Sequence, residues 1–126
     1  MEILKQVYQH PLFEASDFEL IAQAHQKITA HKGELLLSKG KIQDEYYIIE
    51  SGLVRAYLYD YEGNEITTDF KGNNEVVIDV ASIFPRVPSQ EYIQCLTDCS
   101  LYKISYDDFQ ELFHKIPAMR EWGRAR

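Results

Sequence analysis

Glu45-Tyr46-Tyr47-Ile48-Ile49-Glu50-Ser51-Gly52-Leu53-Val54-Arg55-Ala56-Tyr57 holds two extended runs on either side of a Ser-Gly pair. Tyr46 to Glu50 and Leu53 to Asp60 read as strands, and Ser51-Gly52 between them is a hairpin-like signal. In the second run Val54, Ala56 and Leu58 share one face, and Leu53, Arg55, Tyr57 and Tyr59 share the other. A polar turn, Asp60-Tyr61-Glu62-Gly63-Asn64, leads into a strand that alternates Ile66, Thr68 and Phe70 against Thr67, Asp69 and Lys71. Later strands are expected over Glu75 to Ile78, Tyr92 to Leu96 and Ser100 to Ile104. The glycines at 33, 40, 52, 63 and 72 are spaced 7, 12, 11 and 9 apart, the interval of short strands in a sandwich or barrel. No helical period separates these strands, so they are not βαβ units. The fold class expected is mainly β with flanking helices, as an antiparallel sheet pair or jelly roll.

Helices bracket this zone. Ser16-Asp17-Phe18-Glu19 has the form of a capping box, with Ser16 as N-cap. Phe18, Ile21, Ala22, His25 and Ile28 follow it at helical spacing, with Gly33 as a stop. Ser105 is a second N-cap with Asp108 at N3, opening a helix through His114 whose apolar face is Phe109, Leu112, Phe113 and Ile116. Pro117 ends that helix and suits the first position of another. The expected division is 1–32 helical, 33–105 jelly roll and 106–126 helical, in one domain.

The chain has 126 residues and a net charge of −7. That length fits one domain with a core large enough to need no disulfide or metal. An acidic chain is ill suited to grip phosphate backbones alone. No apolar run is long enough to span a membrane, and the N-terminus lacks a signal peptide pattern, so a cytoplasmic location is expected. Cys95 and Cys99, read as one extended strand, would stand about 13 Å apart and could not pair. The four histidines lie outside the β zone, which argues against a metal-dependent jelly-roll enzyme. No catalytic residue and no metal ligand set is assigned. Tyr46, Tyr47, Tyr57, Tyr59 and Tyr61 are expected to cover the sheet with their hydroxyls at its rim. Arg55 is expected at the surface, paired with an acid such as Asp69.

Asp79 to Glu91 breaks the β pattern. Pro85 and Pro88 exclude a central strand, and thirteen residues is long for a connection in a small domain. One reading is a covering loop with solvated tips. The other is a ligand cassette with Arg86 as anion partner, Ser82, Ser89 and Gln90 as hydrogen-bonding groups, and Asp79 and Tyr92 at its ends.

Three stretches carry a family resemblance: Lys32-Gly33-Glu34-Leu35-Leu36-Leu37-Ser38-Lys39-Gly40, the Glu45–Tyr57 run, and Cys95-Leu96-Thr97-Asp98-Cys99 with Leu101-Tyr102-Lys103-Ile104-Ser105. Together they resemble the effector domain of the CRP/FNR superfamily of bacterial transcription regulators, with Gly52–Tyr57 and Gly72-Asn73-Asn74 similar to the Bacteroidetes-type branch. The resemblance runs from about Ile3 to Arg126. It implies a cyclic-nucleotide-binding-domain fold, a double-stranded β-helix or jelly roll. It also implies that Pro117 to Arg126 begins a dimer helix, with Met119 and Trp122 at its seam. Relatives of this kind usually continue into a helix-turn-helix domain, which this chain does not contain, so DNA binding would belong to that missing part.

Family members hold a cyclic phosphate with an Arg-Ser/Thr pair and the ribose with a Gly-Glu pair. Here Ser89-Gln90 stands where Arg-Ser is expected, and Asp79-Val80 falls near the Gly-Glu positions. Losing a guanidinium from a buried phosphate costs about 1.5–3 kcal/mol. The expected function is therefore effector sensing, with cAMP or another small anionic effector as ligand and a homodimer formed through the C-terminal helix. The alternative is a scaffold of the same fold that binds no small molecule and serves dimerisation or protein interaction.

Overall fold

A computed structural model describes residues 2–124. The elements are α1 (Glu2–Val7), α2 (Ala15–Ala24), β1 (Gln26–Ala30), β2 (Leu35–Leu37), β3 (Glu45–Ser51), β4 (Val54–Tyr59), β5 (Glu65–Lys71), β6 (Val76–Val77), α3 (Val80–Ile83), β7 (Tyr92–Cys95), β8 (Cys99–Ser105), α4 (Tyr106–Lys115) and α5 (Pro117–Arg124). Two antiparallel four-stranded sheets form, in the orders β1-β8-β3-β6 and β2-β7-β4-β5. With helices against one sheet, this is the jelly roll that the strand spacing predicts.

The unbroken apolar run Tyr46–Ile49 has a simple cause: β3 is buried on both faces. Tyr46 and Ile48 join Tyr102 and Ile104 of β8 in a cluster with the helices, which contribute Leu4, Ile21, Phe109 and Met119, and with Ile116 between α4 and α5. Tyr47 and Ile49 face the other way and, with Leu101, Val54, Ile93 and Cys95, fill the space between the sheets.

Ser51-Gly52 does not make a hairpin. β3 pairs with β6 and β8, whereas β4 pairs with β5 and β7, so the Ser-Gly step carries the chain from one sheet to the other. The link from β7 to β8 is a second such corner, and the two are knitted together. Leu96 N–H donates to Leu53 O at 2.8 Å, and Leu53 N–H donates to Thr97 Oγ1 at 3.1 Å. Asp98 Oδ1 accepts from Lys32 N at 2.8 Å. The Thr97-Asp98 pair is thus corner chemistry.

This corner also corrects the cysteine reading. Cys95 ends β7 and Cys99 begins β8, so the two lie on different strands around a tight turn, not along one extended strand. Both are buried and free. Burial, reinforced by the neighbouring Cys99, pushes the Cys95 thiol up to about 12, which keeps it protonated and a poor nucleophile.

The true hairpin is β4–β5, closed by the polar turn in which Asp60 Oδ1 accepts from both Glu62 N and Asn64 N at 2.9 Å. The strict alternation expected in β5 fails. The register jumps from Ala56↔Asp69 to Tyr57↔Thr67, leaving Thr68 as an extra residue whose hydroxyl donates to Ala56 O. That bulge puts Ile66, opposite Leu58, and Phe70, opposite Arg55, on opposite faces.

The N-terminal segment differs most from expectation. Its first helix, α1, was not anticipated and buries Ile3, Leu4 and Val7. In α2 the N-cap is Glu14, not Ser16, with Asp17 Oδ2 accepting from Glu14 N at 2.9 Å. The helix stops at Ala24 because His25 turns extended and Gln26–Ala30 pair with β8. Ile28 therefore lies in a strand, opposite Leu101. At the other end Ser105 Oγ accepts from Asp108 N at 3.1 Å, and Pro117 opens α5, both as the sequence predicts.

A buried relay ties the helices to β3. His25 Nδ1–H donates to Ile21 O at 2.6 Å, which leaves Nε2 to accept from the Tyr8 hydroxyl at 2.9 Å. Tyr8 in turn accepts from Tyr46 at 3.1 Å. Burial holds His25 below its ordinary 6.5, although its bond to Ile21 opposes the shift. The unfolded chain therefore binds more protons than the native one as pH falls below 6.5. Stability is expected to be level above pH 6.5 and to fall as acid approaches the native His25 pKa. Urea titrations between pH 5 and 7 check this, and His25→Gln should flatten the slope.

Candidate functional site

The segment from Asp79 to Glu91 joins the two sheets and begins with the single-turn helix α3. Asp79 caps that turn, Oδ1 accepting from Ala81 N at 3.1 Å, while Oδ2 accepts from Ser89 Oγ at 2.5 Å. The buried Ser82 hydroxyl donates to Val87 O at 2.7 Å and accepts from Gln43 N at 3.0 Å. Ser89 Oγ also accepts from Glu91 N at 3.0 Å. Of the residues singled out in the sequence, Asp79 and Ser89 are thus joined directly, while Ser82 bonds Val87 within the loop and Gln43 of the β2–β3 connection.

Arg86 faces the β2–β3 connection. Its Nη1 donates to Gln43 O at 2.8 Å and to Ile83 O at 3.3 Å, its Nη2 pairs with Asp44, and the guanidinium lies 4.0 Å from the Tyr106 ring centroid. The residue sits at φ 60°, a left-handed conformation that an arginine holds only when its surroundings fix it. Gln90 is exposed. Tyr92 leaves the loop on the outer face of its sheet. There it stacks on Tyr57 at 5.1 Å, with Tyr59 edge-on to both.

That outer face also places Arg55. Its guanidinium lies 4.0 Å from the Tyr57 centroid, bonds Gln94 Oε1 at 3.0 Å and pairs with Glu65 at 3.0 Å. Asp69, expected as its partner, pairs with Lys71. Met119 and Trp122 are buried within the chain itself. Trp122 Nε1 donates to Val7 O at 2.9 Å, and its ring lies 4.7 Å from Tyr8.

The residue that sequence reading missed is Gln43. It is 2% exposed, and all its polar groups but one bind the cassette segment. Its N–H meets Ser82, its carbonyl meets Arg86, and its Oε1 accepts from Asp79 N at 2.6 Å. A lone glutamine in a loop carries no pattern. Its role comes from contacts some forty positions away. Among the described residues no three His, Cys, Asp or Glu side chains gather as a metal site, and no helix is long and apolar enough to cross a membrane.

The fold has many solved neighbours. The catabolite activator protein of Thermus thermophilus superposes with a TM-score of 0.80 at 19% identity, covering 94% of this chain and 55% of that one. The sensor domain of the transcriptional regulator DNR from Pseudomonas aeruginosa gives 0.83 at 13% identity, covering 98% of this chain and 83% of that one. The regulatory subunit of a cAMP-independent protein kinase A from Trypanosoma cruzi, bound to guanosine, gives 0.77 at 16% identity, covering 94% and 41%. The chain thus spans about half the length of the activator protein it resembles. A comparison with curated proteins finds no match. The model of the cyclic nucleotide-binding domain matches residues 27–115, over both sheets and the cassette segment, and the chain belongs to that family.

Proposed function

We propose that the chain is the effector-sensing domain of a CRP/FNR-type transcription regulator, and that its cassette does not hold a cyclic phosphate through Arg86. The observation that supports this is the placement of the cassette's groups. The guanidinium stands on Asp44 and two carbonyls, Ser89 closes on Asp79, and the Ser82 hydroxyl is taken up by Val87 O and Gln43 N. Freeing Arg86 for a phosphate would break a charge-assisted pair with Asp44 and hydrogen bonds to the Gln43 and Ile83 carbonyls, a cost that the ligand must first offset.

The route from the cassette to the C-terminal helix runs through the core. Ile83 of α3 is buried in the same cluster as Ile116, Met119 and Trp122. A ligand that preferred one placement of α3 would shift the population of α5 arrangements. The DNA reader would lie beyond Arg126, and a homodimer seam on the C-terminal helix would use faces other than Met119 and Trp122. A domain whose cassette is closed on itself equally suits the scaffold reading, in which no small molecule binds.

Calorimetric titration with cAMP, cGMP and guanosine is expected to give no saturable heat with either cyclic nucleotide. Saturable cAMP binding that Arg86→Ala abolishes would overturn the closed-cassette reading. Sequencing the gene downstream of Arg126 tests the regulator assignment separately, since a helix-turn-helix is expected there.

A further inference from the structure

Val7, the last residue of α1, and Tyr8 beside it hold two distant parts of the chain. The Val7 carbonyl accepts from Trp122 Nε1 of α5 at 2.9 Å, and the Tyr8 ring lies 4.7 Å from the Trp122 ring. The Tyr8 hydroxyl donates to His25 Nε2 and accepts from Tyr46 of β3. Tyr8, His25 and Tyr46 are all buried. The end of α1 therefore stands between a buried imidazole and the C-terminal helix.

A proton on His25 has no place in this arrangement. Nδ1 already donates to Ile21 O, so the proton adds at Nε2 and turns it into a donor. Tyr8 must then accept from His25 and point its own hydrogen at Tyr46. The Tyr46 hydroxyl, whose one partner among the described residues is Tyr8, is left as a buried donor without an acceptor. The charge is no better placed. The titratable groups facing the ring are Tyr8 from α1 and, beyond it, Tyr46 from β3. Among the described residues no charged side chain on α1, α2, β1, β3, α4 or α5 offsets the burial of the ring. Lys5, Asp17, Glu19, Lys27 and Glu121 carry charge on these elements without acting on it.

A buried imidazolium and a buried unpaired hydroxyl are both costly, and water relieves both. α1 is the element placed to let it in. Six residues of helix are not stable alone, whereas β3 is paired on both sides. The less stable unit opens first. We infer that Tyr8, His25 and Tyr46 form an acid-operated clasp: proton uptake at His25 lifts α1 and frees α5 from Val7 and Tyr8, while both sheets stay folded. The proton is then a second input to the helix that the cassette addresses. That α5 carries an output rests on the sensor reading; the release does not.

Trp122 is the only tryptophan, so its emission reads this contact alone. The chain, labelled with 15N, is titrated from about pH 8 to about pH 5, the range in which histidine changes charge. The His25 ring is expected to titrate with a midpoint below 6.5, and Trp122 emission to shift to the red with the same midpoint. Exchange of the Trp122 indole N–H, corrected for its intrinsic pH dependence, is expected to rise about tenfold or more, while the amides of β3 and β8 stay dispersed and protected. His25→Gln, which stays neutral, is expected to abolish the transition. Trp122→Phe loses the bond to Val7 and loosens the clasp, so by linkage His25 is expected to titrate at higher pH than in the parent. Loss of the Trp122 and sheet signals together would be ordinary acid unfolding and would overturn the clasp. So would a His25 that titrates without moving Trp122, a transition that persists in His25→Gln, or an unshifted His25 in Trp122→Phe. No nucleotide enters this test, so the clasp and the cassette reading fail separately.

Discussion

Trp122→Ala is expected to cost the domain about 3–5 kcal/mol, the range for deleting a large buried aromatic side chain. Trp122 is 7% exposed, donates to Val7 O, and packs against Tyr8 and Phe109. The loss has three parts: a cavity in the helical cluster, a Val7 carbonyl deprived of the indole donor, and a Tyr8 ring without its neighbour. Because Tyr8 also links Tyr46 to His25 in the buried relay, its hydroxyl geometry is expected to loosen as well. Urea denaturation gives the free energy. Near-ultraviolet circular dichroism then separates local fraying of α5 from global weakening. A change of under about 1 kcal/mol would mean that α5 contributes little to this core.

Gly52→Val is expected to be nearly as damaging, at about 2–5 kcal/mol, from backbone strain and steric conflict together. Gly52 has φ 126°, where a β-branched side chain is strained whatever space it has. Space is also lacking. A Cβ there would stand 2.5 Å from Cys99 Sγ and 3.0 Å from Asp98 O. The thiol can turn away, but the Asp98 carbonyl belongs to the second corner and cannot move without dragging β8. Gly52→Ala with Cys99→Ala is expected to recover part of the loss. Gly52→Ala alone matching the parent in thermal melting would contradict the account.

The two corners show where sequence reading reaches its limit. Tyr46–Ile49 announced a strand correctly, and Ser51-Gly52 announced a change of direction. Whether that change closes a hairpin or crosses between sheets depends on Leu96, Thr97 and Cys99, more than forty residues away. Local pattern holds no information on such contacts. The same limit explains α2: its apolar spacing continued through Ile28, but pairing with β8 claimed Gln26–Ala30 for a sheet. The helix start at Ser105 and the break at Pro117 were legible because capping and proline chemistry act over three or four residues. In the cassette, the residue types were visible but their partners were not. Asp79 and Ser89 differ by only ten positions, yet Arg86 is held by Asp44 across forty-two.

β5 is the outer strand of its sheet, and every residue from Glu65 to Phe70 is exposed. A long bare edge of that kind invites a second chain to add a strand and begin a fibril. The extra residue at Thr68 throws the row of outward N–H and C=O groups out of step, so an incoming strand cannot stay paired across it. Glu65, Asp69 and Lys71 add charges that a stacked copy would set like against like. The irregularity that spoiled the alternation in this strand therefore helps keep the protein in solution when crowded with its own copies.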